Sequence, residues 1–214
     1  ATHLLETVKA NFGRLFTRRA LRNLLDEFSR PSDPVRAEAN RKLMDEFVPD
    51  KVPLDLLQTV LRLLLEERVP VRNLPLVLEA TAEGRGAGLA PEQIAEHVRR
   101  RLGFHIVARL CDKEGKLPLV QLSPHWETLF AEHERDEDGQ PDIDLPPDEF
   151  NRLARSVGGA LGTAARQGIY PVVATSARRR RFLRHVLEAK GIQNPVLSFE
   201  EIGNRTALSL VGTA

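Results

Sequence analysis

The segment Val69-Pro70-Val71-Arg72-Asn73-Leu74-Pro75 constrains this chain more than any other, because it sets two prolines around a polar Arg-Asn pair between two stretches of helical apolar periodicity. A proline inside a helix removes a backbone donor and clashes with the preceding turn, and it biases its predecessor toward extended backbone. The segment is therefore a shaped joint between two helices and not a catalytic loop. Upstream, Pro53 opens a helix in which Leu54, Leu57, Val60, Leu61, Leu64 and Leu65 make an apolar face wider than one neighbour covers, so it is expected at the centre of a bundle. Downstream, Leu76, Val77 and Ala80 carry the next helix as far as Gly84.

The same reading extends through the first half. Thr17 caps a helix with Leu21, Leu24, Leu25 and Phe28 on one face, stopped by Pro31. Asp33 and Pro34 open another, with Leu43, Met44 and Phe47, ending near Pro49. A longer helix is expected from Pro91, with Ile94, Val98, Leu102, Ile106 and Leu110 as its seam. From Leu117 the pattern changes. Short β-prone runs at 117–122, 171–174, 195–199 and 207–211 alternate with helices, including one over 147–167 and one carrying Phe182, Leu183, Val186 and Leu187. The strand–helix–strand unit around that last helix should be parallel with a right-handed crossover. Residues 132–149 carry nine acidic side chains against Arg135 alone, with three prolines and a glycine, and are expected to be a mobile, solvated loop. The predicted architecture is mixed α+β: a helical subdomain over 1–114, then a small α/β subdomain over 115–214 with a mixed, partly parallel sheet.

Charge and cysteine usage narrow the function. The 31 Lys and Arg against 30 Asp and Glu leave a formal charge of +1, so no overall field points to nucleic acid or to an anionic membrane. No apolar run approaches the roughly 20 residues that cross a bilayer. The single cysteine, Cys111, cannot form an internal disulfide or a cysteine-rich metal cluster, which suits a reducing, cytoplasmic setting.

Clusters that invite chemistry read better as structure. Gly158-Gly159-Ala160-Leu161-Gly162 superficially resembles a phosphate loop, but it falls inside a predicted helix, where the glycines would serve close helix packing. His97 and His105, and likewise His125 and His133, are too far apart in sequence to be adjacent ligands on one helical face. Asp136-Glu137-Asp138-Gly139 lacks the further acidic ligands of a calcium loop. No serine sits in an elbow motif, and Cys111 has no neighbouring activator. No catalytic group, cofactor or metal is expected.

The densest positive cluster is Arg178 to Arg181, followed by Arg184 and His185. With Phe182, Leu183, Val186 and Leu187 as the buried stripe, Arg180, Arg181 and Arg184 are expected on the solvated face. Positive charge near a helix N-terminus opposes the macrodipole, so an acidic group should offset it: a neighbouring subunit, a cargo protein or the acidic 132–149 segment. This makes Arg180, Arg181 and Arg184 a candidate electrostatic docking face. An alternative reading is a nucleic-acid-binding or other regulatory interaction module using the Arg178–Arg181 helix, although no aromatic platform interleaves with the arginines.

Four motifs occur together and in order: Ala1-Thr2-His3-Leu4, the proline joint continuing through Leu76-Val77-Leu78-Glu79-Ala80, Gly115-Lys116-Leu117-Pro118-Leu119-Val120, and Pro195-Val196-Leu197-Ser198-Phe199-Glu200-Glu201-Ile202. In them the chain resembles, from end to end, the export-gate protein family of bacterial type III secretion and its flagellar counterpart. The joint and the Leu197–Ile202 ending look more like the virulence injectisome branch. The resemblance implies the later part of a cytoplasmic half, with residues 1–12 closing an upstream subdomain and any membrane contact made by an N-terminal half not contained in this chain. It implies a non-enzymatic component of a homononameric ring on the cytoplasmic face of the inner membrane. The implied partners are other copies of itself, chaperone–cargo complexes, gatekeeper or switch proteins and the stalk of the ATPase complex, and cargo passes on to a membrane channel. Thr2 carries over as the rim of a chaperone-docking depression. Arg68, Arg72 and Asn73, on the joint, are candidates for a subunit contact, the alternative being that they cap helices and meet water.

Overall fold

The computed structural model describes residues 16–137 and 140–214. Thr2, the Ala1–Leu4 motif and the expected subdomain end over 1–12 therefore lie outside the described residues. The chain divides into two compact units, one ending at Leu102 and one running from Gly103 to Ala214.

The first unit contains α1 (Arg18–Ser29), α2 (Pro34–Phe47), α3 (Leu54–Glu66), α4 (Leu74–Gly86) and α5 (Pro91–Arg101). Sequence punctuation sets their boundaries. Thr17 Oγ1 accepts from the Ala20 N–H at 3.2 Å, and Asp33 Oδ1 from Val35 N–H at 3.0 Å. Each satisfies an amide that the first turn of a helix leaves without a partner. Leu57, Val60, Leu61 and Leu64 of α3 are wholly buried, as expected for the central helix. Burial of each contributes about 1.5–3 kcal/mol. Val77, Leu78 and Ala80 of α4 and Ile94 and Val98 of α5 complete this core.

The helix expected to run from Pro91 through Leu110 is instead two. α5 ends at Arg101, and α6 (Gly103–Ala108) follows as part of the second unit. Close packing fixes this break. A Cβ at Gly103 would stand 2.4 Å from the backbone oxygen of Glu201, so only glycine lets the start of α6 lie against that segment. The units thus meet at 102/103, ahead of the 114/115 boundary expected from the sequence.

In the second unit, β1 (Leu117–Gln121), β4 (Val172–Thr175), β5 (Val196–Ser198) and β6 (Leu208–Thr213) form a four-stranded sheet in the order β5-β4-β1-β6. Every pairing in it is parallel, with Leu119 opposite Val172, Val173 opposite Val196 and Leu117 opposite Leu208. α7 (Pro124–His133) follows β1, α8 (Pro147–Arg166) precedes β4, α9 (Ala177–Ala189) links β4 to β5, and α10 (Phe199–Ile202) follows β5. Val120, Val173 and Val196 share a core with Leu153, Val157 and Leu161 of α8 and Leu183, Val186 and Leu187 of α9. Trp126 and Phe130 of α7 extend it, with Phe130 edge-on to Phe182 at 5.6 Å.

The acidic 132–149 segment is not the irregular loop expected. β2 (Glu134–Glu137) and β3 (Gln140–Ile143) pair antiparallel within it, with Glu134 opposite Ile143. This ribbon is a two-stranded sheet of its own, separate from the parallel four-stranded one. Composition argued for solvation, but Ile143 and Leu145, two apolar side chains among the acids, are buried and join the segment to the core.

Candidate functional site

Two of the expected site regions can be traced atom by atom: the joint in the first unit and the arginine cluster in the second.

At the joint, Arg68 adopts φ 57°, the left-handed region that non-glycine residues enter at a cost. The conformation closes α3. Arg68 N–H donates to Leu65 O at 2.9 Å and Val69 N–H to Leu64 O at 2.9 Å, the paired bonds of a Schellman ending, with Val69 buried beneath them. Asn73 opens α4, its Oδ1 accepting from the Leu76 N–H at 3.4 Å. Between them the Arg68 and Arg72 side chains reach solvent. A partly buried ion pair braces the joint from α5, with buried Arg99 placing its Nη1 3.2 Å from Oε2 of half-buried Glu67. Arg68 and Asn73 thus have capping roles in the backbone, and Arg68 and Arg72 also offer exposed charge.

α9 places its arginines differently from the sequence expectation. Arg180 is 0% exposed and donates from Nη1 to Val196 O at 3.3 Å. Arg184 donates to two carbonyls of the turn into β5, Ile192 O at 2.8 Å and Asn194 O at 2.9 Å. The expected solvated face of Arg180, Arg181 and Arg184 is therefore corrected at Arg180, which is buried and fastens α9 to β5; Arg184 is half-buried and holds the turn before that strand, and Arg181 is half-buried as well. Helical geometry explains why. Four consecutive residues sweep about 300° around a helix, so one of the four arginines must face inward. Arg180 falls in line with Leu183 and Leu187 at steps of three and four, on the buried stripe, and this spacing was the available signal.

The acidic offset to the cluster comes from within the unit. Arg178 pairs with Glu134 at the start of the acidic segment, and Arg179 pairs with Glu127 of α7, with a second approach to Glu134 at 3.6 Å. Arg179 also lies over the Phe130 ring at 5.6 Å, and burial lowers its guanidinium pKa from the ordinary value. At the α9 N-terminus, Glu200 Oε2 accepts from Ala177 N–H at 3.1 Å, setting a carboxylate where the macrodipole favours one. Its neighbour Glu201 closes a capping box on α10. Glu201 Oε2 accepts from Ser198 N–H at 2.7 Å, and Ser198 Oγ accepts from Glu201 N–H at 3.1 Å. The Ser-Phe-Glu-Glu motif thus fastens α10, α9 and, through Gly103, α6. The acidic 132–149 segment, which holds Glu134, was among the offsets expected from the sequence, whereas Glu127 and Glu200 were missed because no local pattern links them to α9.

The other candidates resolve as structure. Glu83 of α4 meets both His97 Nε2 at 2.8 Å and Arg101 Nη1 at 2.6 Å on α5, and these hydrogen bonds, His97 first, hold its carboxyl below the usual range. His125 lies against Trp126 with ring centroids 5.3 Å apart. Burial pushes the Cys111 thiol up. Among the described residues no group of three or more His, Cys, Asp or Glu is placed to hold a metal, and no helix is long and apolar enough to cross a membrane. Of the three glycines in α8, only Gly158 approaches a neighbour, a Cβ there standing 3.5 Å from Ile192. Gly159 and Gly162 face open space, so close packing within this unit does not account for them.

Comparison with known proteins defines the class. The FHIPEP family model matches residues 1–207. The flagellar biosynthesis protein FlhA of Caulobacter vibrioides is 33% identical over 211 residues, covering 99% of this chain and 29% of that protein. Protein hrpC2 of Xanthomonas euvesicatoria is 31% identical over 161 residues, covering 75% of this chain and 25% of hrpC2. The fold is similar to that in the structure of nonameric SctV-C from EPEC, with a TM-score of 0.80 at 22% identity, covering 99% of this chain and 61% of that one. The chain belongs to the FHIPEP family, the export-gate family of type III secretion and flagellar export. It spans less than a third of the length of these two curated relatives.

Proposed function

We propose that this chain forms part of the cytoplasmic ring of a type III protein export gate, on the cytoplasmic side of the bacterial inner membrane. In this reading the ring docks chaperone-bound cargo and regulatory proteins and passes cargo to the membrane channel without itself catalysing a reaction. The family match across residues 1–207 carries the proposal. A charged surface with its arginines and carboxylates tied into internal networks suits transient protein contacts better than bond-breaking chemistry. The helical part, expected over 1–114, would build the ring, and the α/β part would stand around it. Arg68 and Arg72, exposed beside a rigidly capped joint, would contribute to the contact between copies, and Thr2 to the rim of the chaperone site.

Calorimetric titration of a cognate chaperone–cargo complex into this chain, in parallel with a version extended upstream, tests the docking role. Binding to either supports it. Absence of binding to both, with light scattering showing that the extended protein does assemble, rejects it. Charge reversal at Arg68 and Arg72 should weaken assembly of the extended protein, and an unchanged ring removes these residues from the interface.

A further inference from the structure

An open groove of about 500 Å³ lies along α8 and the turn after α9, lined by Asn151, Ala154, Arg155, Lys190 and Ile192. Its floor is apolar: Ala154 belongs to the unit's core, and Ile192 packs against it. Its charged lining is of one sign, with Arg155 and Lys190 both exposed. Most other cations in this unit that stand near acids are spent, Arg178 and Arg179 on Glu134 and Glu127 and Arg152 on Glu149. Arg155 instead turns its Nε toward the Asn151 carbonyl of its own helix at 3.4 Å, and Lys190 stands 5.9 Å from the Phe150 ring. Neither contact neutralises charge.

We infer that this groove docks an acidic amphipathic segment of a partner protein, its apolar side chains on Ala154 and Ile192 and its carboxylates toward Arg155 and Lys190. Charge complementarity selects the occupant. An apolar floor lined by two cations suits a segment that presents apolar and acidic side chains on one face, whereas a bare polyanion would leave Ile192 uncovered and a neutral peptide would leave both cations without acidic partners. The groove is open along its length, which suits a chain segment passing across it. Gly158 and Gly162 lie at helical spacing on from Asn151 and Arg155, so the same face of α8 continues without side chains, leaving room for a backbone to approach. The inference deepens the docking role proposed above, since it names one surface and the chemistry of its partner.

The test uses the full chain and a fluorescein-labelled helical peptide in which leucines recur at three- and four-residue steps among glutamates, followed by fluorescence anisotropy. Binding should weaken at least about tenfold when Arg155 and Lys190 are both changed to glutamate, and should also weaken for Ile192→Ser. The same charge change at the exposed pair Arg109 and Lys113 should leave it within about twofold. Gly162→Ala, whose new methyl enters open space, provides a variant that folds without difficulty and narrows the same face. Three results overturn the inference: no binding by the native chain, equal weakening by both charge-reversal pairs, or tighter binding of a heparin oligosaccharide through Arg155 and Lys190. If the peptide fails while chaperone–cargo complexes still bind in calorimetry, this groove is rejected and the broader docking role stands.

Discussion

The helical unit and the α/β unit keep their polar side chains in different places. Among the described residues up to Leu102 the core is aliphatic apart from Phe16, and apart from the Arg99–Glu67 pair and Thr81, which donates to Val77 O at 2.6 Å, polar groups stay at caps and on the surface. From Gly103 onward, Arg180, Ser198, Glu201 and Thr175 are all buried where strands meet helices. Geometry causes the difference. A helix satisfies its own interior and leaves orphan groups only at its ends. Strands of three to six residues leave backbone groups unpaired at their margins and in the turns between strand and helix, and buried side chains meet them, Arg180 donating to the Val196 carbonyl and Ser198 and Glu201 accepting from amides at the start of α10.

The sharpest way to break this comparison is a matched pair of truncations. Arg180→Ala should cost about 3–5 kcal/mol, because it opens a hole and leaves the Val196 carbonyl without this donor. Leu61→Ala in the helical unit should cost about 2–5 kcal/mol from lost burial and cavity formation. The two sites then part company. Leu61→Met, which conserves volume, should restore stability to within about 1.5 kcal/mol of the native chain, whereas Arg180→Met refills space without the hydrogen bond and should recover only part of its loss. Urea unfolding monitored by circular dichroism reads all four variants. Full recovery by Arg180→Met would mean that packing alone holds α9 in place.

The same distinction explains what could be read in advance. The helical unit was legible because its signals are local: Thr17, Asp33, Asn73 and the prolines announce helix ends, and leucines at three- and four-residue steps announce a central helix. The parallel strands were legible as short β-prone runs separated by helical patterns. Arg180 was misplaced because a charged residue was assigned to water by type, although its spacing from Leu183 and Leu187 put it on the buried stripe. The break at Leu102 and the pairing within 132–149 depend on contacts distant in sequence, Gly103 with Glu201 and Ile143 with the core. No window of neighbouring residues contains those contacts.

Gly103 gives the next largest effect. Gly103→Ala should cost about 3 kcal/mol, since the methyl would meet a backbone oxygen that cannot rotate away. The loss should appear as early unfolding of the α/β unit in hydrogen exchange, with the helical unit's amides less affected. Uniform loss of protection throughout the chain would show that the two units unfold as one.

Smaller changes should raise stability. Gly159→Ala fills open space in the middle of α8 and should add about 0.8–1 kcal/mol through helix propensity. Arg68→Gly relieves a left-handed non-glycine residue, but the unfolded chain gains freedom in exchange, so the net gain should be about 0.5 kcal/mol. Both shifts should appear in urea midpoints without a change in slope. A loss at Gly159→Ala would mean that another surface already packs against that face of α8.

The smallest effect tests whether surface polar contacts in the helical unit contribute as little as the comparison requires. His97 and Arg101 together hold the Glu83 carboxyl below its ordinary range, so the folded chain binds fewer protons than the unfolded chain between the two pKa values. Stability from this group should therefore be complete above the ordinary carboxylate range and disappear as pH falls through the lowered value. Because Glu83 remains largely in water, solvent and salt screen the pair, and the gain should be about 1 °C in melting temperature or less. At pH 7 the native chain should melt slightly above Glu83→Gln, and the two should converge once the pH has fallen below the lowered value, with the gap at pH 7 narrowing in 1 M salt, where the Debye length falls to about 3 Å. A difference of several degrees that persists in salt would show that the helical unit, too, depends on a polar network.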